Sequence, residues 1–165
     1  MEGVLKRIVV TGGNGYVGRE LVRLLYNDNQ VCVVDSLKRC EQRFRVDELG
    51  KFTFERIDIR DHEAIARLFR KWRPDIIIHL AAIHFIPECE ADPLAAVETN
   101  VSGTVSLLAC APKRCRFVLA SSGAVYKPDS VPHKEASVPE PLDIYGLTKL
   151  QAERYVEHYA KKEGL

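Results

Sequence analysis

The segment YGLTK places Tyr145 and Lys149 four residues apart. On a helix that spacing puts both side chains on one face, one turn apart. A free phenol has a pKa of about 10, and an ammonium fixed beside it favours the phenolate. The pair is therefore a candidate general base near neutral pH, although the same spacing is equally met by a solvated surface pair. A partner group precedes it. SSGAVY places Ser121 and Ser122 just after an apolar run. A serine hydroxyl there can hydrogen-bond the same substrate oxygen as Tyr145. Taken alone, Ser122 reads as an ordinary turn or cap serine.

A third constellation is TGGNGYVG, which holds four glycines between residues 11 and 18, directly after an apolar run. Glycine weakens any regular element it interrupts, so the cluster needs a reason. At a strand-to-helix turn the first helical N–H groups point at whatever lies before the helix, and side chains would block an approaching anion. Gly13, Gly15 and Gly18 read as GxGxxG; Gly12, Gly15 and Gly18 read as GxxGxxG. Either register suits a dinucleotide pyrophosphate, with Gly18 allowing close packing of helix on sheet. Asp35 follows Gly15 by 20 residues at the end of a second apolar run, where its carboxylate can accept both hydroxyls of the adenosine ribose. That charge repels a 2′-phosphate and favours NAD. Lys38 and Arg39 follow closely and keep NADP as the alternative.

These groups need elements that bring them together. RIVVTG (7–12), VCVVD (31–35), FTFERI (52–57), DIIIHLA (75–81) and RFVLASS (116–122) read as strands. Between them lie a helix over 19–27 with Leu21, Leu24 and Leu25 at helical spacing, and a weakly helical charged stretch at 40–49. A third segment, over 62–72, carries Ile65, Leu68, Phe69 and Trp72 on one stripe behind an Asp61 cap. A further helix starts from Asp92 and Pro93, with a stripe of Leu94, Val97, Val101 and Leu108. Residues 127–143 read as a loop and 145–162 as a last helix stopped by Gly164. Strands alternating with helices argue for an α/β fold, a doubly wound parallel sheet of Rossmann type.

Composition narrows the class. The 165 residues suit one domain; 46% are hydrophobic, and the net charge is +1 from 24 basic and 23 acidic residues. No basic tract argues for nucleic acid, and no apolar run approaches a membrane span. The five cysteines form no CxxC pair and read as reduced thiols of a cytoplasmic protein. His79 and His84 lack a cysteine or carboxylate at ligand spacing, so no metal site is expected.

Together, TGGNGYVG, Asp35, DIR at 58–60, HLAA at 79–82, TNVSGT at 99–104, SSGAVY and YGLTK resemble the extended short-chain dehydrogenases/reductases. They stand in that family's order and spacing, most nearly those of its NAD-dependent sugar-nucleotide epimerases and dehydratases. The resemblance implies roles position by position. Tyr145 is the catalytic base and Lys149 its partner, which also holds the nicotinamide ribose. Ser122 is the third catalytic residue, and Ser122 and Tyr145 meet the substrate. Gly12, Gly15, Tyr16, Val17 and Gly18 form the pyrophosphate turn, and Asp35 holds the ribose. Asp58 and Ile59 meet the adenine end. Leu80, Ala81, Ala82 and His84 line the dinucleotide, with Asn100 ordering the site beneath it. Lys127 stands where the family usually has glycine, and His84 where its epimerases often have lysine. The implied reaction is of the UDP-glucose/UDP-galactose 4-epimerase type, by transient hydride transfer to NAD.

Relatives continue past the YxxxK helix into further strands and a substrate domain, whereas this chain stops at Leu165. The expected organisation is thus one NAD-binding domain over 1–165 without its substrate domain. A binding module without turnover is the alternative reading. The family pairs subunits through two helices, which fall at about 92–110 and 145–162 here, so a homodimer is expected. The unpaired edge at 116–121 is a second adhesive surface.

Overall fold

The computed structural model describes residues 5–39 and 41–163, with no account of the Glu163 side chain. Cys40 and Gly164, singled out in the sequence, lie outside the described residues.

Five strands form one parallel sheet in the order β3-β2-β1-β4-β5. They are β1 (Arg7–Thr11), β2 (Gln30–Asp35), β3 (Thr53–Arg56), β4 (Ile76–His79) and β5 (Arg116–Leu119). β1 is central, with Val9 opposite Cys32 on one side and Ile77 on the other. The chain leaves β3 at one edge and re-enters at β4 beyond β1, so the order reverses between β1 and β4. Ligands of open α/β sheets bind at such a switch, beyond the strand C-termini. Thr11 and His79 end the two strands there and are register partners.

The strand pleat sends alternate side chains to opposite faces. Val9, Cys32, Val34 and Ile77 join one apolar cluster with Ile65, Phe69 and Leu107. Ile8, Val10, Val31 and Val33 join another with Val22, Phe44 and Phe52. Helices therefore cover both faces, as the near-continuous apolar strands require.

The helices depart from the expected spans in instructive ways. α1 (Tyr16–Leu25) begins three residues early, inside the glycine cluster. Its buried line is Gly18 and Val22, with Leu24 77% exposed, so the Leu21, Leu24, Leu25 stripe does not hold. The early start rotates the helix so that Gly18 lies against the strand. α2 (His62–Trp72) matches its expected span. Asp61 accepts the Ala64 N–H at 3.0 Å, and Arg73 closes the helix in the left-handed region. No helix forms in 41–49; turns hold the segment, where Phe44 packs on Phe52 and Glu48 pairs with Arg23.

α3 (Ile86–Ala91) is an addition to the expected elements; Pro87 at its start and only six residues give little periodicity to read. Asp92 caps the next helix as expected, accepting the Ala95 N–H at 3.0 Å. That helix is α4 (Pro93–Val97), a π-helical turn (Glu98–Ser102) and α5 (Gly103–Cys110). The wider π turn breaks the stripe: Leu94 and Val97 are exposed while Val101 and Leu108 are buried. α6 (Ile144–Glu163) ends the described chain.

Candidate functional site

Gly12 follows β1 with φ +68°, and a Cβ on it would stand 2.7 Å from the Ala81 backbone nitrogen. A Cβ on Gly18 would stand 2.5 Å from the Gly12 carbonyl oxygen. Both glycines are thus fixed by backbone contact, which favours the Gly12, Gly15, Gly18 register. Gly13 is constrained too, but by the Val33 side chain. Gly15 caps α1 in an extended conformation, where a Cβ would meet only the Gly12 oxygen at 3.1 Å. No side chain caps α1, and its first turn has no acidic residue. The N–H groups of Tyr16, Val17 and Gly18 precede the first intrahelical bond, from Arg19 to Gly15. They form an uncapped, positive helix end beside a backbone that no side chain shields. A pyrophosphate fits that arrangement.

Asp35 ends β2 beside this turn. One carboxylate oxygen accepts the Asn14 N–H at 3.1 Å, the other the Leu37 N–H at 3.0 Å. Asp35 thus braces the glycine turn from below; a carboxylate oxygen with one partner still has acceptor capacity. Asn14 is fully buried and holds the next loop, donating to the Glu41 carbonyl at 3.0 Å and accepting the Arg43 N–H at 2.8 Å. Asp58 is bound by Lys38 at 2.7 Å and by Arg60 at 2.9 Å. Partial burial raises its carboxyl pKa, but hydrogen bonds from Arg60 and Lys38 outweigh this and hold it well below the usual carboxylate range. Arg39 pairs with Glu88 of α3. The Ile59 side chain lies in the core against Gly103, so only its backbone faces outward chemistry. Leu80, Ala81 and Ala82 follow β4 half-buried; His84 is exposed near Glu88.

A buried polar chain ties these pieces to α6. The Thr104 hydroxyl donates to the Asn100 carbonyl at 2.6 Å, so its oxygen must accept from His79 Nε2–H at 3.0 Å. His79 Nδ1 then accepts the Thr11 hydroxyl at 2.6 Å. Asn100 is satisfied on both ends of its amide. It accepts the Ile83 N–H at 2.8 Å and donates to the Ile83 carbonyl at 2.9 Å and the Thr148 hydroxyl at 3.0 Å. Thr148 passes its own proton to the Tyr145 carbonyl at 2.8 Å. The residues after β4 are therefore sewn to the first turn of α6. Burial, then the nearby Lys149 charge, pushes the His79 pKa down to about 3, so this tautomer stays neutral. Sequence reasoning misses His79, Thr11, Thr104 and Thr148 as site-forming residues. A histidine ending the apolar run IIIH is the available signal.

On α6, Lys149 is buried and Tyr145 half-buried. Gly146 between them lies on the Ala124 carbonyl, where no Cβ fits. Ala124 belongs to the 3-10 turn Gly123–Val125, which Ser122 caps by accepting the Ala124 N–H at 3.2 Å. This backbone contact sets the Ser122 turn against the Tyr145 turn. Ser121, the neighbour, instead donates to Glu153, one turn beyond Lys149. Burial brings the Lys149 pKa down to about 8, with Glu153 partly opposing. The folded state thus binds fewer protons than the unfolded state between about pH 8 and the free-lysine value, so stability should rise with pH across that window. Below it the desolvation penalty is complete. Lys149→Met should therefore stabilise the fold below pH 8, by roughly 3 kcal/mol at one pKa unit per 1.36 kcal/mol. The gain should shrink above pH 8, as read from urea melts across pH; a gain independent of pH would assign it to packing alone.

The chain matches the model of the NAD dependent epimerase/dehydratase family over residues 8–165. It belongs to that family. It is 34% identical over 162 residues to the UDP-glucose 4-epimerase of Rhizobium meliloti (strain 1021), covering 96% of this chain and 48% of that enzyme. The fold superposes on the UDP-glucose 4-epimerase of Thermus thermophilus in complex with NAD. The TM-score is 0.86 at 31% identity, over 96% of this chain and 52% of the other. A Thermotoga maritima UDP-glucose 4-epimerase with UDP-glucose matches at a TM-score of 0.85 and 32% identity, again over 96% and 52%. The chain spans about half the length of the curated relatives it matches. The family is an NAD-dependent enzyme family, and the five-stranded sheet is its N-terminal portion. Among the described residues no helix is long and apolar enough to cross a membrane.

Proposed function

We propose that this chain is the NAD-binding, proton-transferring half of a nucleotide-sugar 4-epimerase of the UDP-glucose/UDP-galactose type. The observation that carries this reading is the Gly146–Ala124 contact, which sets Tyr145 and a buried Lys149 against the Ser122 turn. NAD, when bound, supplies the two-electron acceptor for a sugar carbinol. Gly12, Gly15 and Gly18 clear its path, and the N–H groups of Tyr16, Val17 and Gly18 receive its pyrophosphate. Asp35 holds the adenosine ribose, with Asp58 and Ile59 at the adenine. Leu80, Ala81, Ala82 and His84 line the middle, kept in place by Asn100. Tyr145 and Lys149 meet the nicotinamide ribose.

In the reaction, Tyr145 takes the proton of the sugar hydroxyl while Ser122 hydrogen-bonds the same oxygen. The Lys149 ammonium stabilises the phenolate and so holds Tyr145 ready to accept. The test is to join the chain to the C-terminal half of a 4-epimerase and supply NAD and UDP-galactose. UDP-glucose should accumulate. A second reading, a binding module without turnover, is favoured by the chain's half-length. NAD binding with no product from the joined protein would select it; no NAD binding would defeat both.

NAD over NADP follows from charge. Asp35 repels a 2′-phosphate, and the cations available to offset it, Lys38 and Arg39, are already paired with Asp58 and Glu88. Asp35→Ala should weaken NAD by about 10–100-fold, the value of a lost hydrogen bond to a charged group, and narrow its lead over NADP. An unchanged preference in calorimetric titration would remove Asp35 from that role.

For assembly, the exposed Leu94, Val97 and Tyr155 on α4 and α6 support a homodimer through helices. The competing mode pairs β5 edge to edge, where Val118 is exposed. Light scattering should give at least twice 18.6 kDa. A monomer at micromolar concentration would defeat both, and Val118→Asp should disturb only the second.

A further inference from the structure

At the opposite end of the sheet, below the strand N-termini, lies a cavity of about 850 Å³. Lys6 precedes β1 and Arg116 starts β5. Arg70 and Arg73 come from the end of α2, and Lys113 and Arg114 from the turn between α5 and β5. All six line this cavity, and none has an ion-pair partner among the described residues. The one carboxylate in the wall, Asp75, is taken: it accepts the Arg7 N–H at 2.8 Å and pairs with the Arg7 guanidinium at 3.3 Å.

An ordinary reason for cations here is the negative end of a helix. α2 and α5 both end at this cavity, and together their C-termini carry roughly one unit of negative charge. Six unpaired cations exceed that severalfold in a protein whose net charge is only +1. Arg73 and Arg114 also occupy left-handed backbone positions, with φ 50° and 65°. Glycine would take those positions without strain, so the guanidiniums are held there against local preference. Like charges gathered in one concavity repel unless an anion shares it. Arginine forks suit phosphate oxygens bidentately. The enclosure, within the range of about 300–1,000 Å³ for small-molecule sites, suits a compact ligand better than a long polymer.

We propose that this cavity binds a small ligand bearing two adjacent phosphates, separately from the dinucleotide turn at the other end of the sheet. The proposal does not rest on the epimerase reading. The test titrates the 165-residue chain with inorganic pyrophosphate by calorimetry, with orthophosphate and sulfate as controls. One saturable site is expected, weakened by salt and preferring pyrophosphate to either control. Arg73→Glu together with Arg114→Glu should abolish it while NAD binding stays within twofold. If that pair misfolds, Lys6→Ala with Lys113→Ala, both at exposed positions, should weaken binding about tenfold or more, as expected when charged hydrogen bonds are lost. Gly15→Val should leave pyrophosphate binding unchanged. Tighter binding of a nucleoside diphosphate than of pyrophosphate would identify the source as a nucleotide, and equal binding the bare diphosphate. The proposal fails if no saturable site is found, or if NAD displaces pyrophosphate and Gly15→Val abolishes it. It also fails if a single-stranded oligonucleotide binds the arginine face more tightly than any small phosphate.

Discussion

Tyr145→Phe, in the chain joined to a C-terminal half, is expected to lower turnover by about 10²–10⁴, the range typical of a lost general acid or base. NAD binding should change little. The side chain keeps its ring and loses only the oxygen, and α6 is positioned by features the substitution leaves alone. The Tyr145 carbonyl still takes the Thr148 hydroxyl, and Gly146 still rests on Ala124. The loss should therefore appear in kcat rather than in KM. Initial rates with UDP-galactose, alongside NAD titration of the same variant, separate the two. Turnover within a few-fold of the parent would exclude Tyr145 as the base. A parallel fall in NAD affinity would mean that α6 had moved.

Gly15→Val should abolish NAD binding in a chain that still folds. Gly15 has φ −70° and ψ 179°, a conformation valine adopts readily, and its Cβ position is open except for the Gly12 oxygen at 3.1 Å. The branched side chain would stand before the uncapped end of α1, where the pyrophosphate must approach the N–H groups of residues 16–18. Losing two charged hydrogen bonds there should weaken NAD by roughly 10²–10⁴-fold. Gly18→Ala is the contrasting case. Its methyl would press on the Gly12 and Gly13 backbone, so it should damage the turn itself and lower the melting temperature. If Gly15→Val bound NAD normally, the pyrophosphate would have to lie elsewhere.

The strands are legible in the sequence because burial on both faces writes an apolar run, as in IVV of β1 and III of β4. α2 is legible because its Asp61 cap and its stripe agree. α3 is not, since six residues starting Ile-Pro carry neither a cap side chain nor a full apolar turn. The apolar content of 41–49 misleads in the same way. Phe44 is buried there by other aromatics and by Asn14, which reaches across from the glycine turn to hold the loop. Such a long-range bond leaves no local pattern. The same holds within the site. Glycine spacing and YxxxK can be read from the chain, whereas the His79 relay joins residues from 11 to 148. The role of Gly146 depends on the carbonyl oxygen of Ala124, far back along the chain.

The π-helical turn at Glu98–Ser102 makes this stretch unusually intolerant of a change in length. It holds one residue more than the α-helical turn it replaces. Deleting a single residue there would let the backbone relax into uninterrupted α-helix and gain regular hydrogen bonds. It would also turn α5 by about 100° relative to α4. Leu107 and Leu108 would leave the core, and Thr104 would swing away from His79. The local geometry would improve while the molecule lost both its packing and its relay. In a deletion scan, a gap at 98–102 should be as damaging as one inside β1, although no strand is cut. Equal gaps in the exposed 127–138 loop should pass almost unnoticed.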